Sequence, residues 1–302
     1  MVSVVIPCYA QARFLAGCIA SLQAQTYPDW EAIIVNDGSP DDTKVVAEGL
    51  AARDSRVRYI ERPHSGQPSA RNAGLRAARG RWIQFLDADD LLEPKKFELQ
   101  VARLSACPDL AFCYCDYWRG DPVDPRVRVP GGHLSLEFKM ARPVLDMALR
   151  WEWDFSMPIH TPLFDRAFFH DLGIHFDETL PNNEDWDMWM QMLRHSPRIL
   201  YEPTELAIYR QSAASVSRNR DLMWRGFSAA IRKQQTIWAD DPEVVKCLAL
   251  TQRLVDYHYY RTWRSRLRRR LDRSLAYRRN CPWPIQKFFL RLTDRPALPP
   301  TR

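Results

Sequence analysis

At 302 residues, with 46% apolar and 12% aromatic content, the chain can bury one large or two modest cores, and its composition excludes a disordered or fibrous protein. Its formal charge of +6 points to anionic partners, while seven Cys without framework spacing point to reduced thiols rather than a disulfide scaffold. No apolar run reaches the roughly 18–20 residues that span a bilayer, and the stretch from Met1 to Pro7 lacks the charged start of a secretory leader, so a cytoplasmic protein is expected. Strand patterns run over 2–6, 31–35, 57–60 and 82–86, with helical patterns near 12–25, 42–53 and 69–79 between them. In the first helix Phe14, Cys18, Ile19 and Leu22 share one face. This alternation with short links predicts an α/β fold: a mostly parallel, doubly wound, nucleotide-binding sheet flanked by helices, with right-handed crossovers. A strand at 110–116 follows, then a loop from Gly120 to Gly132 and an aromatic region, 133–182, of weak periodicity. Residues 183–193 place Trp186, Trp189, Met190 and Leu193 at helical spacing behind an acidic first turn. From about 220 onward the pattern is helical. The organisation expected is one domain over 1–215, divided near 117 into a nucleotide-binding half and a second half at 118–215, followed by a helical, basic C-terminal region at 216–302.

The strand Trp82 to Leu86 ends in three carboxylates, Asp87, Asp89 and Asp90. Strand C-terminal ends are where open α/β sheets bind ligands. Such a cluster suits a hard cation, Mg²⁺ or Mn²⁺, that arrives with substrate phosphates. It also suits a plain helix cap, with Asp89 or Asp90 before a helix starting near Leu91. The first strand is followed by neither Gly-x-Gly-x-x-Gly nor a Gly-Lys phosphate loop, so bound phosphates would need another source of positive charge. Asp37 closes the second strand beside the place where Asp87 emerges, and can accept from a base N–H or a ribose hydroxyl. Asp41 and Asp42 read as a turn and a helix cap. Arg71, near the third helix's start, could reach a diphosphate or a base edge, or be an ordinary surface arginine.

Five motifs in order carry a resemblance: Val4 to Tyr9, Ile34 to Ser39, Ala70 to Gly74, Phe85 to Asp90, and Glu184 to Asp187. Together, over roughly 1–212, the chain resembles the family 2 inverting glycosyltransferases of the GT-A fold. The resemblance implies transfer of a single sugar from a nucleotide diphosphate sugar, UDP-sugar foremost, to a hydroxyl of a glycan or lipid-linked acceptor in surface polysaccharide synthesis, assisted by Mn²⁺ or Mg²⁺. By position, Asp89 is the implied metal ligand and Asp87 bonds the ribose or assists the metal. Asp37 reads the base, Pro7 and Tyr9 line its pocket, and Arg71 approaches the nucleotide. Of the acidic pair Glu184 and Asp185, the base is placed on Asp185. Two departures stand out: Ala10 where the family often has Asn, and Ser212 where it often has a His, for which His160 is a candidate substitute. The Gln-x-x-Arg-Trp motif of processive members is absent. Acceptor recognition is expected in 133–182.

The tail is a separate matter. Trp263, Leu267, Leu271 and Leu275 repeat every four residues, with nine Arg and one Asp between 261 and 279. Such a basic amphipathic helix could dock on an anionic membrane surface, placing the protein peripherally on the inner face, or could pack its Leu stripe on the core. No nucleic-acid module accompanies the charge, so nucleic acid is not an expected partner. A non-catalytic nucleotide-sugar-binding or scaffold subunit is the alternative to an enzyme.

Overall fold

The computed structural model describes residues 1–129, 137–151, 153–211 and 219–271, with 260–271 as helix backbone alone. Its first half is built on β1 (Val2–Cys8), β2 (Trp30–Asn36), β3 (Val57–Glu61) and β4 (Trp82–Phe85), all parallel. The crossovers are α1 (Ala12–Gln23), α2 (Thr43–Arg53) and α3 (Gln67–Ala77). β1 and β2 are buried at every position, as expected of parallel strands covered on both faces, and their sequences accordingly read as near-continuous apolar runs. α3 lies close on β1 because Gly74 has no side chain; a Cβ there would collide with Val5.

The sheet continues as an eight-stranded whole in the order β3-β2-β1-β4-β7-β6-β8-β5. Here β5 is Leu91–Leu92, β6 Ala111–Gly120, β7 Leu163–Asp165 and β8 Arg198–Arg210. β7 is antiparallel to both β4 and β6, so it is the seam where the parallel half meets the second half. β6 and β8 run parallel, with a register shift at Asp116. Helices α4 (Lys96–Ser105), α5 (Pro143–Leu149), α6 (Ala167–His170), α7 (Glu184–Leu193) and α8 (Arg220–Ile237) surround them, and α9 runs over Pro242–Leu271. The expected α/β class, with a largely parallel sheet and C-terminal helices, is what the structure has.

One expectation fails. No helix starts near Leu91, and neither Asp89 nor Asp90 caps one. Leu91 and Leu92 are buried and pair with Ile208 and Ala207, and the next helix waits until Lys96, past Pro94. The carboxylate of Asp90 is drawn into the sheet instead, where Oδ1 accepts from the Arg210 backbone N–H at 2.8 Å. Asp41, by contrast, does serve the second helix: its carboxylate accepts from Thr43 N and Oγ1, and from Ala12 N.

Residues Met1–Tyr259 form one compact unit. α8 is fastened to α7 within it: Lys233 lies 2.7 Å from Asp187 and 2.8 Å from Asp177, and Gln234 donates to Asp187 Oδ1. Gly226 permits this approach, since a Cβ would run into Asn182, whose Nδ2 donates to Leu222 O. Among the described residues no helix is long and apolar enough to cross a membrane. The basic stripe at 261–279 and Ser212 lie outside the described side chains.

Candidate active site

The ends of β1, β2 and β4 and the loop before α3 gather the expected residues along one sheet edge. Pro7 lies within β1, opposite Val35 of β2. Tyr9, just past the strand, is half exposed and stacks on His64, ring centroids 4.1 Å apart. Ala10 follows with φ 54, its N–H donating to Ser39 Oγ at 3.1 Å. That left-handed backbone is the physical reason an Asn suits the position, since Asn tolerates it far better than Ala.

Asp37 is buried, and both its oxygens are occupied by the chain. They accept from Ser65 N at 3.1 and 3.2 Å and Gly66 N at 2.8 Å, with His64 Nδ1 at 2.8 Å and Arg62 Nε at 3.4 Å. A base N–H would therefore share this carboxylate with the loop that it holds.

Arg71 is almost wholly buried and bridges two carboxylates. Nη2 meets Asp87 Oδ1 at 2.8 Å and Nη1 meets Glu184 Oε1 at 2.6 Å. Burial opposes the charge, but Asp87 and Glu184 outweigh it and hold the guanidinium above its ordinary pKa. Arg71 is thus neither a surface arginine nor a free hand for a diphosphate; it ties the β4 edge to the first turn of α7. Asp87 also accepts from Gln67 Nε2 at 2.9 Å.

Asp89 differs from its neighbours. Among the described residues no Lys or Arg side chain forms an ion pair with it. Burial, then the charges of Asp90 and Asp87, push its carboxyl up to about 7, with Arg210 offsetting only part. The turn that carries it is pinned from behind: Arg210 Nε donates to Asp89 O at 2.7 Å. His160, fully buried, sits with Nδ1 2.9 Å from Asp90 Oδ2, though out of line for a hydrogen bond, and its ring stacks on Tyr209. His160 is therefore placed behind the aspartates, on Asp90. Sequence reading singled out His160 but not the Asp90–Arg210 contacts that hold the turn.

Across the edge, α7 opens with Asn183 at φ 58 and presents its acidic pair in two ways. Glu184 faces Arg71. Asp185, half-buried, accepts from Trp186 N at 2.7 Å, an arrangement favoured at a helix N-terminus. A cavity of about 900 Å³ joins Arg71, Asp87, Glu184 and Asp185. Pro7, Tyr9, Asp37 and Asp89 lie outside its lining. Its far walls include Trp151 and residues 156–159 and 178–182, within the stretch expected to recognise an acceptor, but also Tyr117, Arg119, Tyr209, Gln211, Leu222 and Met223. Sequence reading missed these six; strand alternation at 117 and 119 was the available signal.

Among the described residues no three His, Cys, Asp or Glu side chains are grouped to hold a metal unaided. Asp89 and Asp87 nevertheless fit a divalent ion that brings further ligands with it. A carboxylate strained by burial and like charges gains from a hard cation, and Mg²⁺-type sites commonly use one or two carboxylates plus substrate phosphates.

The parallel half-sheet, its aspartate edge and the acidic turn facing it across one cavity define a class, the glycosyltransferases of the GT-A fold. The family model of glycosyl transferase family 2 matches residues 3–168, and the chain belongs to that family. It is 32% identical over 219 residues to the uncharacterized glycosyltransferase EpsJ of Bacillus subtilis, covering 72% of this chain and 63% of that protein. It is 31% identical to chondroitin synthase of Pasteurella multocida, over 67% of this chain and 20% of the synthase. The chain thus spans less than two thirds of these relatives. Among solved structures, S. aureus TarS 1–349 in complex with UDP-GlcNAc aligns with a TM-score of 0.61 at 19% identity, covering 76% of this chain and 65% of that one. Mannosyltransferase PcManGT from Pyrobaculum calidifontis, in complex with GDP-Man and Mn²⁺, aligns at 0.57 and 17% identity, covering 87% and 82%. The family and fold expected from the five motifs are borne out.

Proposed function

We propose that the chain is a metal-dependent inverting glycosyltransferase that moves one sugar from a nucleotide diphosphate sugar to a hydroxyl of a glycan or lipid-linked acceptor in surface polysaccharide synthesis. The observation that carries this is the shared cavity: Asp87, from the donor edge, and Asp185, from α7, line the same space with Arg71 between them. UDP-sugars are the first donors to try, since TarS is seen with UDP-GlcNAc; PcManGT, with GDP-Man, keeps guanosine donors in the panel. The names of the chondroitin and hyaluronan synthases support a glycan product.

In this reading Asp37, Pro7 and Tyr9 form the base end of the donor site, and Asp87 and Asp89 its diphosphate end, where Asp89 is the principal ligand of Mn²⁺ or Mg²⁺. A bound divalent ion would stabilise the charge on the departing diphosphate by several kcal/mol. Asp185 takes the acceptor's proton. A sugar hydroxyl has a pKa far above neutrality, so attack needs a positioned base, worth about 10²–10⁴ in rate. One such base opposite the leaving group gives a single displacement with inversion, with no need of a nucleophilic carboxylate. Glu184 cannot share the task while it neutralises Arg71; it positions the turn. A cytoplasmic protein docked peripherally through its basic tail completes the proposal. Flotation of full-length and 1–259 chains with anionic vesicles tests that part, and equal binding of the two would remove it.

The central test is Asp185→Asn. Titration with UDP-sugar and Mn²⁺ should show donor binding within about twofold of the parent, while UDP release in the presence of acceptor falls by about 10²–10⁴. Transfer at the parental rate would overturn the base assignment.

A further inference from the structure

We propose that the acceptor carries a negatively charged group, a phosphate or a carboxylate, and that Arg119 receives it. This rests on the glycosyltransferase reading above and specifies its second substrate.

The argument starts from charge. A guanidinium stays protonated at any physiological pH, and a half-buried one is stabilised most by an anion or carbonyls that replace its lost water. The other enclosed arginines do: Arg58 pairs with Glu31, Arg71 with Asp87 and Glu184, Arg150 with Asp146 and Asp154, and Arg210 bonds the carbonyls of Asp89 and Pro122. Arg119 is half-buried, and its Nε is enclosed with no hydrogen-bond partner. Among the described residues no carboxylate pairs with it. The cavity's own carboxylates are otherwise engaged: Asp87 and Glu184 with Arg71, Glu178 with Asn72 Nδ2 and Ser69 Oγ, and Asp185 with Trp186 N.

Position supplies the rest. Arg119 and Tyr117 alternate along β6 onto the cavity, and Arg119 lies in register with Tyr209 of β8. Tyr209, half-buried beside this cationic fork, suits a sugar ring bearing an anion: the sugar packs on the aromatic side chain and the anion takes paired N–H donors. Asp185 lines the same cavity, so one bound acceptor can offer its hydroxyl to the base and its charge to Arg119. The competing occupant is the donor's own diphosphate.

The experiment measures binding to the full-length protein, saturated with UDP and Mn²⁺, of methyl β-D-glucuronide, glucose 6-phosphate and methyl β-D-glucoside. At least one anionic probe should bind at least tenfold more tightly than the glucoside, and Arg119→Gln should erase that preference while leaving UDP affinity within twofold. Arg119→Lys, which keeps the charge, should retain part of it. Equal binding of the three probes, or binding of none, overturns the proposal. So does a fall in UDP affinity of Arg119→Gln, which would assign the arginine to the donor. Failure of the glycosyltransferase reading itself appears elsewhere, as absence of UDP and Mn²⁺ binding by the parent protein.

Discussion

Two residues of the proposed donor edge carry strain that can be measured. Ala10 holds a left-handed backbone that costs a non-glycine residue roughly 1–2 kcal/mol. Ala10→Asn should therefore raise stability by up to about 1 kcal/mol in a urea titration; an unchanged midpoint would mean that the loop relaxes at no cost. Asp89 carries the other strain. Its folded carboxyl stands near 7, above the ordinary 3.8, so the favourable contribution is complete below about 3.8 and is lost as pH rises through about 7. A cation that needs the ionised form reverses that loss. The Mn²⁺-induced rise in melting temperature, with UDP present, should grow steadily from pH 5.5 to pH 8 and vanish in Asp89→Asn. A rise independent of pH would separate the metal from Asp89. That Asp89 stands just past the C-terminal end of β4 could be read in the sequence, because a short apolar strand running into aspartates is a local signal. The fate of Asp90 could not, because its partner Arg210 lies 120 residues away and only the β5–β8 pairing brings them together.

At the scale of elements, α8 holds α7, the helix on which the proposed base stands. Asp187 is fully buried and Lys233 is its one charged partner among the described residues, with Asp177 completing the cluster. Lys233→Met should cost about 2–3 kcal/mol, discounted from the roughly 3–5 kcal/mol of breaking a fully buried pair because Lys233 keeps 31% of its side-chain surface in water. Thermal unfolding at neutral pH checks it, and a loss under 0.5 kcal/mol, the scale of exposed pairs, would rule the cluster out as a fastening. The same cluster sets an acid limit. Burial would raise the Asp177 carboxyl, but Lys233 and Thr179 hold it down at about 2, so its contribution is present above 3.8 and is lost as pH falls toward 2. In sequence α7 announced itself through its tryptophan spacing and acidic first turn. The docking of α8 did not, because Gly226 and Lys233 are ordinary residues in a helix until the positions of Asn182 and Asp187 are known.

For the whole molecule, the parallel half was the most legible part, since each β-α unit is written in contiguous residues. The second half was the least, because β6, β7 and β8 pair across long separations and in mixed directions, and no local pattern encodes that. The cavity's far wall follows the same division: residues 156–159 and 178–182 fell inside the expected stretch, whereas Tyr117 and Tyr209 reach it only through the β6–β8 pairing.

Arg71 gives this division a thermodynamic meaning. One guanidinium is shared between Asp87, on the proposed donor edge, and Glu184, beside the proposed base, so in that reading the binding of the two substrates is coupled through it. A donor engaging Asp87 would loosen its hold on Arg71 and leave the guanidinium to Glu184, steadying the turn that carries Asp185. Such linkage is reciprocal: whatever factor the donor adds to acceptor affinity, the acceptor returns to the donor. The expected signature is ordered addition with the donor first, seen as UDP competing with the UDP-sugar alone in product-inhibition plots. Random addition with equal affinities in every order would show that the shared arginine transmits nothing.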